Sequence, residues 1–352
     1  FGLDHFGYPR KKGAKMELIF LCPAIKKAIG GVKVIYRQAE LIHKLGQTRG
    51  FSAAVMHPNT FFFRVRWFES TVPLKRAFFK WRWVGKPSMS NIAGVFDARR
   101  QMVVIPELWA RKYGAQLASM GVPYAIYVQN GYYIAKGRPT DLDKAYQGAR
   151  CILTISDDAT RCVALAFPGV ESRILRVHCA VDAQRFKPDQ AKENIITYMP
   201  RKLADHSSKV IFFMRHHLPA NWSIVPIDGM TEVQVAALLE RSKIFMAFSH
   251  FEGLALPPLE AALSGNHVIG YTGQAAKEYW RPDIFEEVAS GDVAGFAQRV
   301  LAKVHAMDQA EQFEVPLGTI RELAQTYSES QERKDMLEFL NVMGLNTNGL
   351  PT

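Results

Sequence analysis

The chain has 352 residues, of which 48% are hydrophobic and 22% charged, a balance that fits packed soluble structure and argues against large-scale disorder. That length is too great for one ordinary core and suits two domains. Lys and Arg number 44 against 33 Asp and Glu, a net charge of +11, which favours an anionic partner: a nucleotide diphosphate, an acidic lipid surface or nucleic acid. Four cysteines, Cys22, Cys151, Cys162 and Cys179, show no C-x-x-C spacing and read as free thiols of a reducing compartment, not as a disulfide framework or metal cluster. No apolar run reaches the roughly 18 residues of a membrane span, so a cytoplasmic protein is expected, or one peripheral on the inner face of the membrane. Residues 1–15 are expected to be an N-terminal extension and are assigned no function.

Residues 17–22 (ELIFLC) read as a buried strand, and Val32, Ile35, Ala39, Ile42 and Leu45 repeat at helical spacing after the pair Gly30-Gly31. The pair reads as a tight turn, and it lacks both the G-x-G-x-x-G fingerprint and a Walker loop. Residues 61–86 interleave aromatic rings with arginine and lysine around one acid, Glu69. Three readings stand: a membrane-surface segment with Trp67, Phe79, Trp81 and Trp83 in the headgroup region beside cations such as Arg64, Arg66 and Lys75, a platform for a glycan or nucleic acid, or packing within its own domain. No nucleic-acid recognition motif is present, so that partner is not expected.

Strands follow at 101–105, 124–128, 151–155 and 173–178, with helices between them. Gln129, Asn130 and Gly131, just past one strand, are expected on the ligand-facing edge of an open sheet. Asp141 and Asp143 match a D-x-D metal motif but precede helical sequence, so no metal is expected. Asp157 and Asp158 follow Ser156 as helix-start residues. Polar residues and proline break the pattern near Asp189, a domain boundary. Past the strand at 194–199, Arg201 and Lys202 offer a fork and a point charge to a pyrophosphate, with Lys209 as an alternative second cation. The run at 243–248 is of strand length, so Glu252 and Gly253 are expected just beyond its end. Pro257 and Pro258 preset the next helix, whose preceding amides, those of Gly253, Leu254 and Ala255 among them, suit an anionic phosphate.

The order strand, Glu252-Gly253, small residues, Pro-Pro, Leu-Glu260-Ala resembles the Glu-x7-Glu signature of retaining glycosyltransferases of the GT-B fold, most closely glycosyltransferase family 4. Val181, Asp182, Arg185, Phe186 and Pro188 resemble that family's boundary phrase, although Cys179-Ala180 replaces its usual Asn-Gly. The resemblance implies that Glu252 meets the donor sugar, that Glu260 hydrogen-bonds the ribose, and that Gly30 and Gly31 face the donor phosphates and the acceptor. It also implies a donor loop around Gly273, one glycine short of the usual pair, and a site glutamate at Glu278 unless that residue only caps a helix. Pro200 replaces the glycine usually found before Arg201. The fold implied is α/β, two Rossmann-like domains facing a cleft: an acceptor-side domain at 16–188, a donor domain at 189–327, and a crossover helix and tail at 328–352 that brace the first domain. The activity implied is transfer of a hexose-like sugar from a nucleoside diphosphate sugar to a hydroxyl of a glycan or lipid-linked acceptor. Configuration would be retained, no cofactor or metal used, and Glu252, Arg201 and Lys202 would carry the chemistry. A nucleotide-sugar epimerase, a sugar phosphorylase or a non-catalytic nucleotide-sugar binder would share that architecture.

Overall fold

Near-continuous apolar runs are what strands covered on both faces require, and each run read above as a strand lies in a parallel sheet of the computed structural model. The structure describes residues 15–27, 29–60, 63–81, 90–92, 94–136, 139–189, 191–345 and 347. Its first part runs β1 (Met16–Leu21), α1 (Gly30–Gly46), β2 (Phe51–Met56), β3 (Leu74–Lys75), the hairpin strands β4 (Lys80–Trp81) and β5 (Ser90–Asn91), β6 (Gln101–Pro106), α2 (Glu107–Ser119), β7 (Tyr124–Val128), α3 (Pro139–Gly148), β8 (Cys151–Thr154), α4 (Asp157–Ala166) and β9 (Ile174–Arg176). The second part runs β10 (Glu193–Tyr198), α5 (Ala204–Met214), β11 (Ser223–Pro226), α6 (Glu232–Arg241), β12 (Ser242–Glu252), α7 (Leu256–Leu263), β13 (His267–Gln274), β14 (Phe285–Glu287), α8 (Val293–Gln309), α9 (Leu317–Thr326) and α10 (Glu329–Val342).

One sheet has the order β3-β2-β1-β6-β7-β8-β9 and the other β11-β10-β12-β13-β14. In each the chain moves outward on one side of its first strand and then returns to the other side. The reversal falls between β1 and β6 in one sheet and between β10 and β12 in the other, and the strand ends flanking such a reversal are where open α/β sheets bind ligands. The chain divides into two compact units, one made of residues up to Ile155 with Ala159–Val177 and the segment from Arg333 on, the other of Ser156–Asp158 and His178–Glu332. Within the first unit, Met336, Phe339, Leu340 and Met343 of the returning segment are buried, and Arg150 Nε donates to the Val342 carbonyl at 2.9 Å.

Three elements differ from their sequence readings. Gly30-Gly31 is not a turn before α1 but its first turn, entered from an extended Ile29 (φ −137°, ψ 122°). β12 does not stop at Phe248; it runs to Glu252 because β13 continues beside it, pairing Ser249 with Thr272 and Glu252 with Gln274 across an irregularity. For the same reason Tyr271 to Gln274 are strand and not loop. Pairing with a neighbour satisfies backbone groups that polar or glycine-containing sequence, taken alone, assigns to loops.

The aromatic-basic segment turns several rings inward. Phe79, 2% exposed, sits edge-on to Tyr113 at 5.2 Å and to Phe96 at 6.3 Å, and Trp67 packs on Phe68 at 4.6 Å. Lys75 is held by Glu17 at 2.6 Å. Two of the rings assigned above to a headgroup region, Phe79 and Trp67, are therefore packed against other rings of the chain. Arg64, Arg66, Arg76 and Phe78 are exposed, and Phe61, Arg82, Trp83 and Lys86 lie outside the described residues, as do residues 1–14. No helix among the described residues is long and apolar enough to cross a membrane.

The same segment is tied to α1 by Glu40, which accepts from Ser70 Oγ at 2.6 Å and Thr71 Oγ1 at 2.8 Å and pairs with Lys44 at 2.9 Å. Burial pushes this carboxyl up, but the hydrogen bonds from Ser70, Lys44 and Thr71 outweigh it and hold the group at about 2 against an ordinary 4.5. A depressed folded value gives stability that is present above 4.5 and lost as pH falls through about 2. Glu40→Gln is expected to cost about 1 kcal/mol at pH 7 after screening is allowed for. Urea unfolding should show that difference and its disappearance towards pH 2.

Candidate active site

Non-glycine residues avoid positive φ, so where several occur the surrounding structure must impose it, at a cost of about 1–3 kcal/mol each. Five such residues occur among the described residues, and four of them, Leu203 (φ 45°), Phe251 (46°), Ala255 (61°) and Gln274 (73°), lie just past or at the C-terminal ends of β10, β12 and β13. This edge of the second sheet includes its order reversal. β10 delivers Arg201 and Lys202, β12 delivers Glu252, and Lys202 Nζ makes an ion pair with Glu252 Oε1. The Lys202 side chain is 52% exposed and that of Glu252 19%, so the pair contributes at most about 1 kcal/mol to stability and opens at little cost. Arg201 is exposed and pairs with no group among the described residues. Lys209 is paired with Asp205 one helical turn away.

Gly273 explains itself twice. Its φ is +59°, and a Cβ there would stand 2.8 Å from Ser249 Cβ and 3.2 Å from Glu252 Cγ. Beyond Glu252, Gly253, Leu254 and Ala255 are buried and lead into α7, whose Pro257 and Pro258 carry no N–H. The amides available ahead of the two prolines are therefore those of Gly253, Leu254, Ala255 and Leu256. Tyr279, 1% exposed, donates its hydroxyl to the Ala255 carbonyl at 2.6 Å and so holds the left-handed residue in place. Burial raises the Tyr279 phenol well above its ordinary range, with further contributions from Tyr327, Glu278, Glu252 and Glu260. Glu278 accepts from Tyr327 Oη and from the Asp157 backbone amide, each at 2.7 Å, so both its oxygens serve as anchors.

In the first unit the strand ends at the reversal are equally occupied. Gln129 Nε2 donates to the Gly31 carbonyl at 3.0 Å, and a Cβ on Gly31 would approach Gln129 Oε1 to 2.7 Å; the structure joins these two sequence candidates. Asn130 is buried and accepts from the Tyr132 amide at 2.9 Å. Gly131 leaves no room for a Cβ, which would meet Cys162 Cβ at 2.8 Å. These two therefore shape the turn after β7. His57 Nδ1 lies 2.9 Å from the Cys22 carbonyl, which can only accept, so Nδ1 carries the proton and Nε2 accepts from Tyr36 Oη at 2.5 Å. Burial lowers its pKa, keeping it neutral.

Asp141 and Asp143 lie within α3 and not at a strand end, and no cluster of three potential metal ligands occurs among the described residues. Sequence reasoning missed Tyr279 and Glu107. Glu107 carries the same signal as Glu252, a carboxylate directly after a strand run, but it falls in the helix expected between the strands at 101–105 and 124–128. Tyr279→Phe removes the Ala255 anchor without changing shape. It is expected to cost about 1 kcal/mol and to speed amide hydrogen exchange at residues 253–256, measurable by mass spectrometry.

No protein-family profile matches the chain. Over 124 residues, 33% of its length, it is 28% identical to an alpha-1,6-glucosyltransferase of Actinobacillus pleuropneumoniae serotype 7 (strain AP76), and the match spans 37% of that protein. Among solved structures it is similar to a glycosyltransferase from Rickettsia africae (TM-score 0.65, 12% identity, 94% of this chain and 99% of that one). Anabaena HepE in complex with UDP-glucose is similar over 93% of this chain and 99% of that one, with a TM-score of 0.65 and 12% identity. The lipopolysaccharide outer core galactosyltransferase WaaB, in its apo form, gives a TM-score of 0.61 and 14% identity over 94% and 99%. The fold is that of the GT-B glycosyltransferases.

Proposed function

We propose that the chain is a glycosyltransferase that moves a hexose-type sugar from a nucleoside diphosphate sugar to a hydroxyl of a glycan or lipid-linked acceptor, with retention of configuration. The observation that carries this reading is the Lys202–Glu252 pair, a cation and a carboxylate brought together at the order reversal of the second sheet beside Gly273. The names of the similar proteins, a glucosyltransferase, a galactosyltransferase and a protein bound to UDP-glucose, support it.

In this mechanism the donor exchanges partners with the pair. Lys202 leaves Glu252 for the diphosphate, Arg201 joins it, and Glu252 is released to accept from sugar hydroxyls. The bond from the anomeric carbon to the diphosphate oxygen breaks while the acceptor oxygen bonds to the same face of that carbon, and the acceptor proton passes to the departing phosphate. Negative charge on the diphosphate is greatest in the transition state, so Arg201, Lys202 and the amides of Gly253, Leu254 and Ala255 accelerate the step by stabilising that anion. Glu260 holds the ribose. Gly30 and Gly31 face the donor phosphates and the acceptor, and Gln129 is an acceptor-side group, with Asn130 and Gly131 shaping the turn that presents Gln129. No metal is required by this scheme, and turnover is expected to survive a chelator.

A panel of nucleoside diphosphates and their sugars should include one that raises the melting temperature. With that ligand, Glu260→Ala is expected to weaken binding by about 1–3 kcal/mol, and Arg201→Ala to lower turnover more than affinity. Unchanged nucleotide affinity in folded Glu260→Ala removes the ribose assignment. Transfer that requires a hydroxyl acceptor separates this reading from an epimerase, which needs none, and from a phosphorylase, which needs phosphate.

We also propose that the first unit docks on an anionic membrane surface through Arg64, Arg66, Arg76 and Phe78, each arginine contributing on the order of 1 kcal/mol. Sedimentation with anionic vesicles should be salt-sensitive and exceed that with neutral ones; equal, negligible binding to both rejects the docking.

A further inference from the structure

The outer edge of the second sheet carries a hollow that the transfer proposed above does not use. β14 is the end strand of that sheet, and β13 separates it from β12 and Glu252. The hollow along it measures about 630 Å³ and is lined by Lys277, Trp280, Phe285, Glu286, Glu287 and Arg299, among others. Its floor is aromatic. Phe285 is 3% exposed, and the half-buried Trp280 ring lies against it at 4.6 Å with an interplanar angle of 33°, so the indole is supported by a fixed neighbour. Trp280 Nε1 is buried and has no hydrogen-bond partner among the described residues, whereas an indole N–H taken out of water ordinarily finds one. The walls carry both signs of charge. Glu286 accepts from Arg299 Nη1 at 3.0 Å, and Glu287 stands 3.8 Å from Lys277 Nζ. The Arg299, Lys277 and Glu287 side chains are each about half exposed, so these pairs add little to stability and exchange partners at little cost.

Floor and walls together decide the class of ligand. Lys277, Arg299 and Lys303 stand against Glu286 and Glu287, and His267, held neutral by burial and by Lys303, adds no charge. The charges nearly cancel, so the hollow is no clamp for a phosphate, and a purely apolar ligand would take the wall groups out of water without pairing them. Charge alone commonly guards an edge strand, but a guard needs no ring beside it. A sugar uses both features: a pyranose has a face of C–H bonds that packs on an aromatic ring, and its hydroxyls donate to carboxylates and accept from ammonium, guanidinium and indole N–H groups. We propose that this hollow is a glycan-binding site in which a hexopyranose lies against Trp280 and its hydroxyls bridge the Glu286–Arg299 and Glu287–Lys277 pairs. Its volume falls within the range of small-molecule sites, about 300–1,000 Å³. The site needs neither donor nor turnover, so it does not rest on the transferase reading. Where that reading holds, the chain has a second hold on a glycan, away from the residues that react.

Hydrogen exchange of the full chain, read by mass spectrometry with millimolar maltotriose, isomaltotriose or lactose, tests this. At least one of these sugars should slow exchange in residues 277–287, and calorimetric titration should give its Kd. Trp280→Ala should weaken that binding by roughly tenfold, and Trp280→Phe, which keeps a ring against Phe285, should weaken it less. Lys277→Ala combined with Glu287→Ala alters exposed side chains only, so it carries the test even where Trp280→Ala does not fold. This double variant is expected to keep the melting temperature of the free chain and to bind the sugar roughly tenfold more weakly, the scale of losing a hydrogen bond to a charged group. UDP and inorganic phosphate serve as controls, and neither should protect residues 277–287. Protection confined to residues 201–202 and 251–256 puts the sugar at the edge that holds Glu252 and overturns the proposal. So does protection of 277–287 by phosphate or UDP in place of the sugars, protection by none of the three sugars, or unchanged affinity in the double variant. A chain that binds no nucleotide would end the transferase reading and leave this result untouched.

Discussion

Parallel pairing is the constraint from which the rest follows. Two parallel strands cannot be joined by a short turn, so every connection crosses a face of the sheet, and all the loops at one edge follow strands in the same direction. Where strand order reverses, two adjacent loops diverge and leave backbone amides and side chains pointing into open space. Both sheets of this chain have such a place, and chemistry-bearing side chains stand at each: Arg201, Lys202 and Glu252 in one, Glu107 and Gln129 in the other.

The second reversal shows how strain is sustained there. Four positive-φ residues in one small region oppose folding; at two of them the support is visible, where Tyr279 grips the Ala255 carbonyl and the tight approach of Gly273 to Ser249 and Glu252 fixes the end of β13 beside Gln274. The weak, half-exposed Lys202–Glu252 pair is of another kind. It adds little to stability and opens at little cost.

The sequence made the strands and the place of Glu252, Arg201 and Lys202 legible because apolar runs and the residues directly after them are local signals. It did not show that β12 runs past Phe248 to Glu252 beside β13, since that extension comes from pairing between distant segments. Tyr279 was invisible because its role depends on a carbonyl 24 residues away. Gly31 and Gln129 were both found, but as separate candidates; their contact spans 98 residues and only the folded sheet creates it. The rings at 63–79 carried no statement of direction, since interleaved aromatic and basic residues serve a core and a surface equally well.

The first unit is discontinuous, closed by a segment that begins only at Arg333. Synthesis proceeds from the N-terminus at about 5–20 residues per second, so the strands up to Val177 emerge roughly 10 to 30 s before the helix that contributes Met336, Phe339 and Leu340 to their core. During that interval the nascent first sheet carries an uncovered apolar strip, and the second unit, contiguous apart from Ser156–Asp158, is nearly complete before the first is closed. Order of synthesis and order of completion are thus inverted in this chain, and the exposed strip is the surface a chaperone on the ribosome would meet.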